Sequence, residues 1–65
     1  MSALITTPNV ARPDEIYQGL NALHAGRTEA ESLRINARLI LILANHVGDE
    51  EAILEAIRLA GIERD

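Results

Sequence analysis

The apolar residues of this chain recur at helical spacing in three segments that are separated by glycines and capping residues. In the first segment, Ile16, Leu20 and Leu23 form a single stripe. Pro13 precedes the stripe and suits the first turn of a helix, while Gly26 follows it and favours a stop. The pattern predicts an amphipathic helix that begins at Pro13 and ends before Gly26.

The second segment is longer and apolar on most sides. Thr28 and Glu31 have the spacing of a capping box, so the helix is predicted to begin there and to run to about Val47, before Gly48. Its middle holds five consecutive large aliphatic residues, 39–43. Apolar positions cover about 260° of its circumference, against roughly 100° for a helix with one buried face. Two short neighbouring helices are therefore not expected to cover it.

The third segment begins immediately after Gly48. Asp49 is a favourable N-cap, and Ile53 and Ile57 recur on one face with alanines between them. Gly61 followed by Ile62 predicts a Schellman-type ending, in which Ile62 packs back on the last turn.

These elements predict an all-α fold, a small three-helix bundle with an extended N-terminal tail. We divide the chain into a tail at residues 1–12, a three-helix domain at 13–62 and a polar end at 63–65. Short connections make neighbouring helices antiparallel, so the first and third helices are expected to cover one broad face of the second. Leu4 and Ile5 form an apolar pair in the tail, which either straps across a surface of this chain or of a partner or belongs to a disordered end.

The short length makes association the expected route to a complete core. A chain of 65 residues buries only about 60% of its unfolded surface. The sequence contains no cysteine, which excludes disulfides and thiolate metal sites and leaves oligomerisation as the common remedy. The aliphatic surface of the second helix that the other two helices leave uncovered is therefore expected to be an interaction site. The predicted partner interface consists of Leu4, Ile5, Ile35, Arg38, Leu39, Ile42 and His46.

Charge argues against nucleic-acid and membrane partners. The formal net charge is −4, which opposes phosphate backbones and anionic lipids. A helix-turn-helix at Gly48 would present Asp49, Glu50 and Glu51 to DNA, where carboxylates are repelled. Tyr17 is the sole aromatic residue, so bases and flat cofactors have few side chains on which to stack. The sequence lacks a secretory signal and an apolar run long enough to span a bilayer, and we predict a cytoplasmic protein.

The residues that could carry chemistry are few. His24, His46 and Asp49 are candidate metal ligands, although a favourable position near helix C-termini is the better explanation of both histidines. No catalytic residue and no cofactor are predicted, and we expect a protein that is not an enzyme. Asn36 falls among apolar neighbours, where a buried amide must be satisfied. It either fixes the register between helices or chains, or caps the loop that holds Gly26 and Arg27.

One string of the sequence resembles a known family. The string is Asn36-Ala37-Arg38-Leu39, then Leu43-Ala44-Asn45-His46-x-Gly48-Asp49, and the similarity extends over roughly residues 7–60. It resembles a family of small bacterial proteins of unknown function. The resemblance implies no reaction and transfers no catalytic residue. Its members are often encoded near flavin-dependent oxygenases, which implies a larger protein partner.

We therefore predict a non-catalytic accessory subunit that docks the aliphatic face of the second helix on a larger protein, for which the resemblance implies a flavin-dependent monooxygenase. An alternative is a self-contained homodimer, in which two copies pair their second helices through the same face into a six-helix bundle. A third hypothesis is a small metal-binding protein that uses His24, His46 and Asp49.

Overall fold

A computed structural model describes residues 4–62, and the predicted polar end at 63–65 lies outside them. The described part contains three helices and no strand, which confirms the all-α class. The helices are α1 (Pro13–His24), α2 (Glu29–Val47) and α3 (Glu50–Ala60). Residues 4–12 are not helical, as predicted for the tail.

The α1 helix begins at Pro13 and ends in a tight turn. Arg12 occupies the N-cap position without a side-chain cap, and acidic residues follow in the first turn. After His24, the chain turns through Ala25 (φ −62°, ψ 130°) and Gly26 (φ 73°), and the Arg27 N–H donates to the His24 carbonyl across 3.2 Å. These angles define a type II turn, whose third position requires a positive φ and therefore favours glycine.

The α2 helix carries both predicted caps. The Thr28 hydroxyl accepts from the Glu31 N–H at 3.2 Å, and the Glu31 carboxylate accepts from the Thr28 N–H at 2.9 Å. At the other end, Gly48 adopts the left-handed conformation (φ 69°), and its N–H donates to the Ala44 carbonyl. The capping-box and glycine predictions are confirmed.

The α3 helix begins as predicted but ends differently. The Asp49 carboxylate accepts from the Ala52 N–H at 3.2 Å, as expected of an N-cap. At the C-terminus, Gly61 has a right-handed φ of −82°, so the predicted Schellman ending is wrong. The Gly61 N–H donates to the carbonyls of the preceding turn, which extends the helical geometry instead of reversing it. Ile62 is accordingly exposed.

The helices are formed, but they bury little of one another. Ile35 is the single buried hydrophobic residue in the described range, and no two helices pack along their lengths there. The chain exposes 6030 Å², whereas a compact monomer of 7.1 kDa exposes about 4,100 Å². Its radius of gyration is 13.6 Å, against about 10.7 Å for a compact domain of this length. The expected covering of one face of α2 by α1 and α3 is therefore absent.

Candidate association surfaces

A polar clamp, defined as the side chains of His24, Ser32 and Asn36, holds α1 against α2. The Nδ1 atom of His24 lies 2.8 Å from the Ser32 hydroxyl, and its Nε2 atom lies 2.9 Å from Oδ1 of Asn36. Ser32 and Asn36 are one helical turn apart, so a single imidazole spans both. Because Oδ1 of an amide only accepts, Nε2 is the protonated nitrogen in the neutral ring, and Nδ1 accepts from the Ser32 hydroxyl.

The polar clamp corrects the prediction for Asn36. This side chain is exposed rather than buried, and it bonds to His24 rather than to the loop at Gly26 and Arg27. The Asn36 side chain nevertheless forms a contact between α1 and α2. Arg27 secures the same corner differently, since its Nε donates to the carbonyl of Leu23 at 3.1 Å. No local sequence pattern identifies the clamp, because His24 and Asn36 lie 12 positions apart.

The predicted partner face is partly consumed by the chain itself. Ile35 is only 7% exposed, so in this conformation it packs within its own chain and presents little of its side chain to a partner. The reason is that the C-terminal end of α1 brings Leu23 to the same side of α2, where both residues line one shallow groove of about 270 Å³.

The remaining predicted residues of α2 stay accessible. Leu39 is half-buried, Ile42 is 64% exposed, and Arg38 and His46 are exposed. Their spacing places them on neighbouring turns of one side of the helix. We call Arg38, Leu39, Ile42 and His46 the docking face.

Two guanidinium groups flank the docking face. Arg27 and Arg38 line the groove that contains Leu39 and Ile42. Neither guanidinium forms a salt bridge within the part of the chain that the structure describes. Arg27 lies close enough to the Glu31 carboxylate to contribute to its lowered pKa, whereas Arg38 lies exposed beside Leu39 and Ile42. A cation beside an apolar contact favours a partner that carries carboxylates there.

A second apolar groove, of about 320 Å³, lies between α2 and α3. All of its lining residues are aliphatic: Ile40, Leu43, Ala44 and Val47 from α2, and Ile53, Ala56, Ile57 and Ala60 from α3. Helical periodicity predicts most of these residues in the closed core of a bundle. In the structure, Ile40 and Ile57 are 62% and 61% exposed, so the groove is open. Helical periodicity therefore identifies the apolar residues of the α2–α3 groove correctly. It places them in the interior, whereas the structure leaves them on an open surface.

The tail lies near the corner between α2 and α3. Leu4 is half-buried, Ile5 is exposed, and together they line a hollow with Val47, Asp49 and Ala52. The apolar pair that is predicted to act as a strap is therefore positioned beside a surface of its own chain.

The three candidate metal ligands are not brought together. In residues 4–62, no three histidine or acidic side chains form a group that could hold a metal ion. His24 is engaged in the polar clamp, and the Asp49 carboxylate caps α3. His46 is exposed on the docking face. The metal-binding hypothesis is not supported by this arrangement, because a metal site needs several convergent ligands.

Two carboxylates have shifted pKa values, and local contacts explain both. The pKa of Glu31 is lowered, chiefly by the hydrogen bond from the Thr28 backbone N–H and then by the Thr28 hydroxyl. The pKa of Glu55 is lowered by its hydrogen bond with Arg58, one helical turn away. These contacts stabilise helices α2 and α3 and do not create a reactive group.

The fold and these surfaces define a small all-α protein with two exposed apolar grooves. Of the helices in residues 4–62, none is long and apolar enough to cross a membrane. The chain belongs to the family described as "Protein of unknown function (DUF2783)", which matches residues 4–61. Neither the comparison with curated proteins nor the comparison with solved structures finds a match.

Proposed function

We propose that this protein is a non-catalytic accessory subunit that completes its hydrophobic core by binding a larger protein. The observation that carries the proposal is the surface area, about 1,900 Å² larger than expected for a compact monomer of this mass. Large aliphatic side chains form part of this exposed surface, among them Ile40, Leu41 and Ile42, which are 62%, 71% and 64% exposed. Neighbouring exposed aliphatic residues of this kind mark an interaction site. The proposed function is therefore to bind a larger protein, and the chain itself catalyses no reaction in this proposal.

The docking face is the surface that we assign to the larger partner. Ile42 supplies an exposed aliphatic contact at its centre, and Leu39 lies half-buried beside it. Arg38 lies at the rim, and Arg27 lies across the groove. A second copy of this chain would oppose the same guanidinium groups across the contact, which like-charge repulsion disfavours. The face therefore suits a different protein, with carboxylates that pair with the two arginines.

The family resemblance supplies the candidate partner. The resemblance implies a family of small bacterial proteins that are often encoded near flavin-dependent oxygenases, so we propose a flavin-dependent monooxygenase as the larger protein and a cytoplasmic location for the complex. The flavin chemistry belongs to that enzyme in this proposal. The tail pair Leu4 and Ile5 lies beside Val47 at the corner between α2 and α3, and we do not assign it to the docking face.

The proposal is tested by co-expression with the oxygenase encoded beside the gene. We expect a complex of fixed stoichiometry in light scattering, and we expect Ile42→Asp to abolish it because a carboxylate would be buried beside aliphatic groups. Leu41→Asp is the matched control, since Leu41 is 71% exposed and points about 100° away from Ile42 around the helix.

The control should retain the complex. Equal loss with both variants, or a complex that survives Ile42→Asp while the chain remains helical, would contradict the docking face. No complex with the unmodified chain would contradict the proposed partner.

A further inference from the structure

We propose that α1 is a lid for the docking face: it closes along α2 in the free chain and is displaced when a larger protein binds. In the closed form, the α1 stripe, defined as Ile16, Leu20 and Leu23, covers Leu39 and Ile42. The closure concerns this chain alone, whereas the role of α1 as a lid rests on the proposed function.

The α1 stripe lies on the side of α1 that already meets α2. At the last turn of α1, His24 belongs to the polar clamp, and Leu23 lines the groove beside the docking face. At about 100° per residue, Ile16 and Leu20 project in directions between those of Leu23 and His24. The whole stripe is therefore turned to the same side, and it is Leu23 that reaches the groove.

The rest of the stripe has little cover. Ile16 is 51% exposed and Leu20 is 38% exposed, and no two helices pack along their lengths in residues 4–62. Closing the angle between α1 and α2 removes apolar surface of both helices from water, which is favourable. Residues 25–28 join the two helices, so closure needs no second molecule. A connection this short gives α1 an effective concentration at α2 of about millimolar.

The polar clamp fixes the register of the closed form. His24 bonds to residues 32 and 36, which lie on either side of Arg34. Helices joined by a short connection pack antiparallel, so each step back along α1 matches one step forward along α2. Ile16 precedes His24 by eight residues, and Ile42 follows Arg34 by eight residues, about 12 Å in each helix. Closure therefore brings Ile16 level with Ile42.

The charges of α1 do not oppose closure. Asp14 and Glu15 lie in its first turn but project about 120° and 140° away from Leu20 around the helix. Glu15 is moreover paired with Arg12 at 3.2 Å. No carboxylate is therefore buried against the docking face. The antiparallel arrangement also places the positive N-terminal end of α1 beside the negative C-terminal end of α2.

Closure and partner binding exclude each other, because both use Leu39 and Ile42. The apparent affinity of the partner is reduced in proportion to the fraction of chains that are open. A partner that places a carboxylate opposite Arg38 gains a contact that the apolar stripe of α1 does not offer, and this contact helps it to displace α1. The α2–α3 groove stays uncovered, since Ile40 points about 100° away from Leu39. The closed chain thus still exposes aliphatic surface that association covers.

Pairs of cysteines test the closure, because the sequence has none. In the double variant Ile16→Cys and Ile42→Cys, we expect a disulfide within one chain under mild oxidation at low protein concentration. Ile16→Cys with Leu41→Cys is the matched control, since Leu41 points about 100° away from Ile42. Linkage within the control chain should be about tenfold slower, because its cysteines do not reach disulfide geometry in the closed form. Intact mass separates linkage within a chain from linkage between chains.

Ile16→Asp tests the role of α1 as a lid. This change removes an aliphatic contact of the lid, leaves the docking face intact, and puts a carboxylate near the start of a helix, where it is tolerated. We expect the complex with the oxygenase encoded beside the gene to become about tenfold tighter, because more chains are open. Gln18→Asp is the matched control, since Gln18 is exposed and projects away from the stripe, and it should leave the affinity unchanged.

The two tests fail separately. Equal rates of linkage within the chain for the two cysteine pairs would overturn the closure, and so would linkage that forms only between chains. A complex that is no tighter with Ile16→Asp than with Gln18→Asp would overturn the role as a lid. If no variant binds the oxygenase, the proposed function fails together with the lid, and the cysteine pairs alone then decide whether α1 closes.

Discussion

His24 donates a hydrogen bond from Nε2 to Oδ1 of Asn36 across 2.9 Å, and this bond joins the last turn of α1 to the middle of α2. It lies beside Ile35, the one hydrophobic residue that the described part of the chain buries. The α1–α2 corner is thus held by a polar contact and a small apolar contact together. Because so little surface is buried there, the hydrogen bond is a substantial part of what fixes the corner.

The contact at the α1–α2 corner predicts that substitutions of His24 and Asn36 have coupled effects on the free energy of unfolding. Asn36→Ala removes the acceptor, and we expect a loss of about 0.5–1.5 kcal/mol in the free energy of unfolding, as for an ordinary protein hydrogen bond. His24→Ala should cost at least as much, since it also removes the contact with Ser32. The double variant should lose less than the two single losses combined, as measured by thermal unfolding followed by circular dichroism. Additive losses would mean that the two side chains do not interact in solution.

The capping box predicts a specific cost at the start of α2. Thr28→Ala removes the hydroxyl that accepts from the Glu31 N–H, and we expect a loss of about 1 kcal/mol with reduced helix content. Thr28→Ser is the matched control and should retain most of the stability, because serine supplies the same acceptor. If both variants behave alike, the hydroxyl is not the stabilising group.

The same cap predicts a dependence on pH. The folded chain lowers the pKa of Glu31 below its ordinary value of 4.5, through the hydrogen bond from the Thr28 N–H. The carboxylate therefore contributes its full stability above pH 4.5, and this contribution is lost as the pH falls through the lower folded pKa.

Glu31→Gln removes the titrating group while keeping an acceptor. The unmodified chain should be more helical than this variant at neutral pH, and the difference should shrink below pH 4.5 in a circular dichroism titration. A difference that stays constant down to about pH 2, well below the ordinary range of a glutamate, would contradict the role of the carboxylate.

The glycines predict opposite effects at two positions. Gly48 has a φ of 69°, and there is room for a side chain, since an added Cβ would lie 3.9 Å from the nearest atom, the Asn45 carbonyl oxygen. Gly48→Ala should therefore cost about 1–2 kcal/mol through the left-handed backbone alone. Gly19 lies inside α1 with open space around it, so Gly19→Ala should stabilise the chain by about 0.5–1 kcal/mol. Thermal midpoints that shift in the same direction would contradict this account.

Most helix boundaries can be predicted from local signals in the sequence. Thr28, Glu31, Gly48 and Asp49 act within a few residues of themselves, so their spacing was enough to place the ends of α2 and the start of α3. The ending at Gly61 was wrong, because a glycine permits a left-handed turn without enforcing one.

The candidate surfaces were harder to predict, because packing depends on distance and angle between helices. Periodicity showed that α2 has apolar residues on most sides, but it did not show which side α1 would meet. The structure places Ile35 under α1 and leaves Ile40 and Val47 open. The clamp of His24 on Asn36 joins residues 12 positions apart, so no local rule identifies it.

The most direct test of the central claim is the mass of the unmodified chain in solution, by light scattering or sedimentation equilibrium at neutral pH. The claim is that association covers the aliphatic surface that the helices leave exposed. We predict that the chain alone is not a stable 7.1 kDa monomer: its mass should exceed 7.1 kDa at micromolar concentration, and its thermal midpoint should rise with concentration. A 7.1 kDa monomer that unfolds cooperatively at a midpoint independent of concentration would contradict the account.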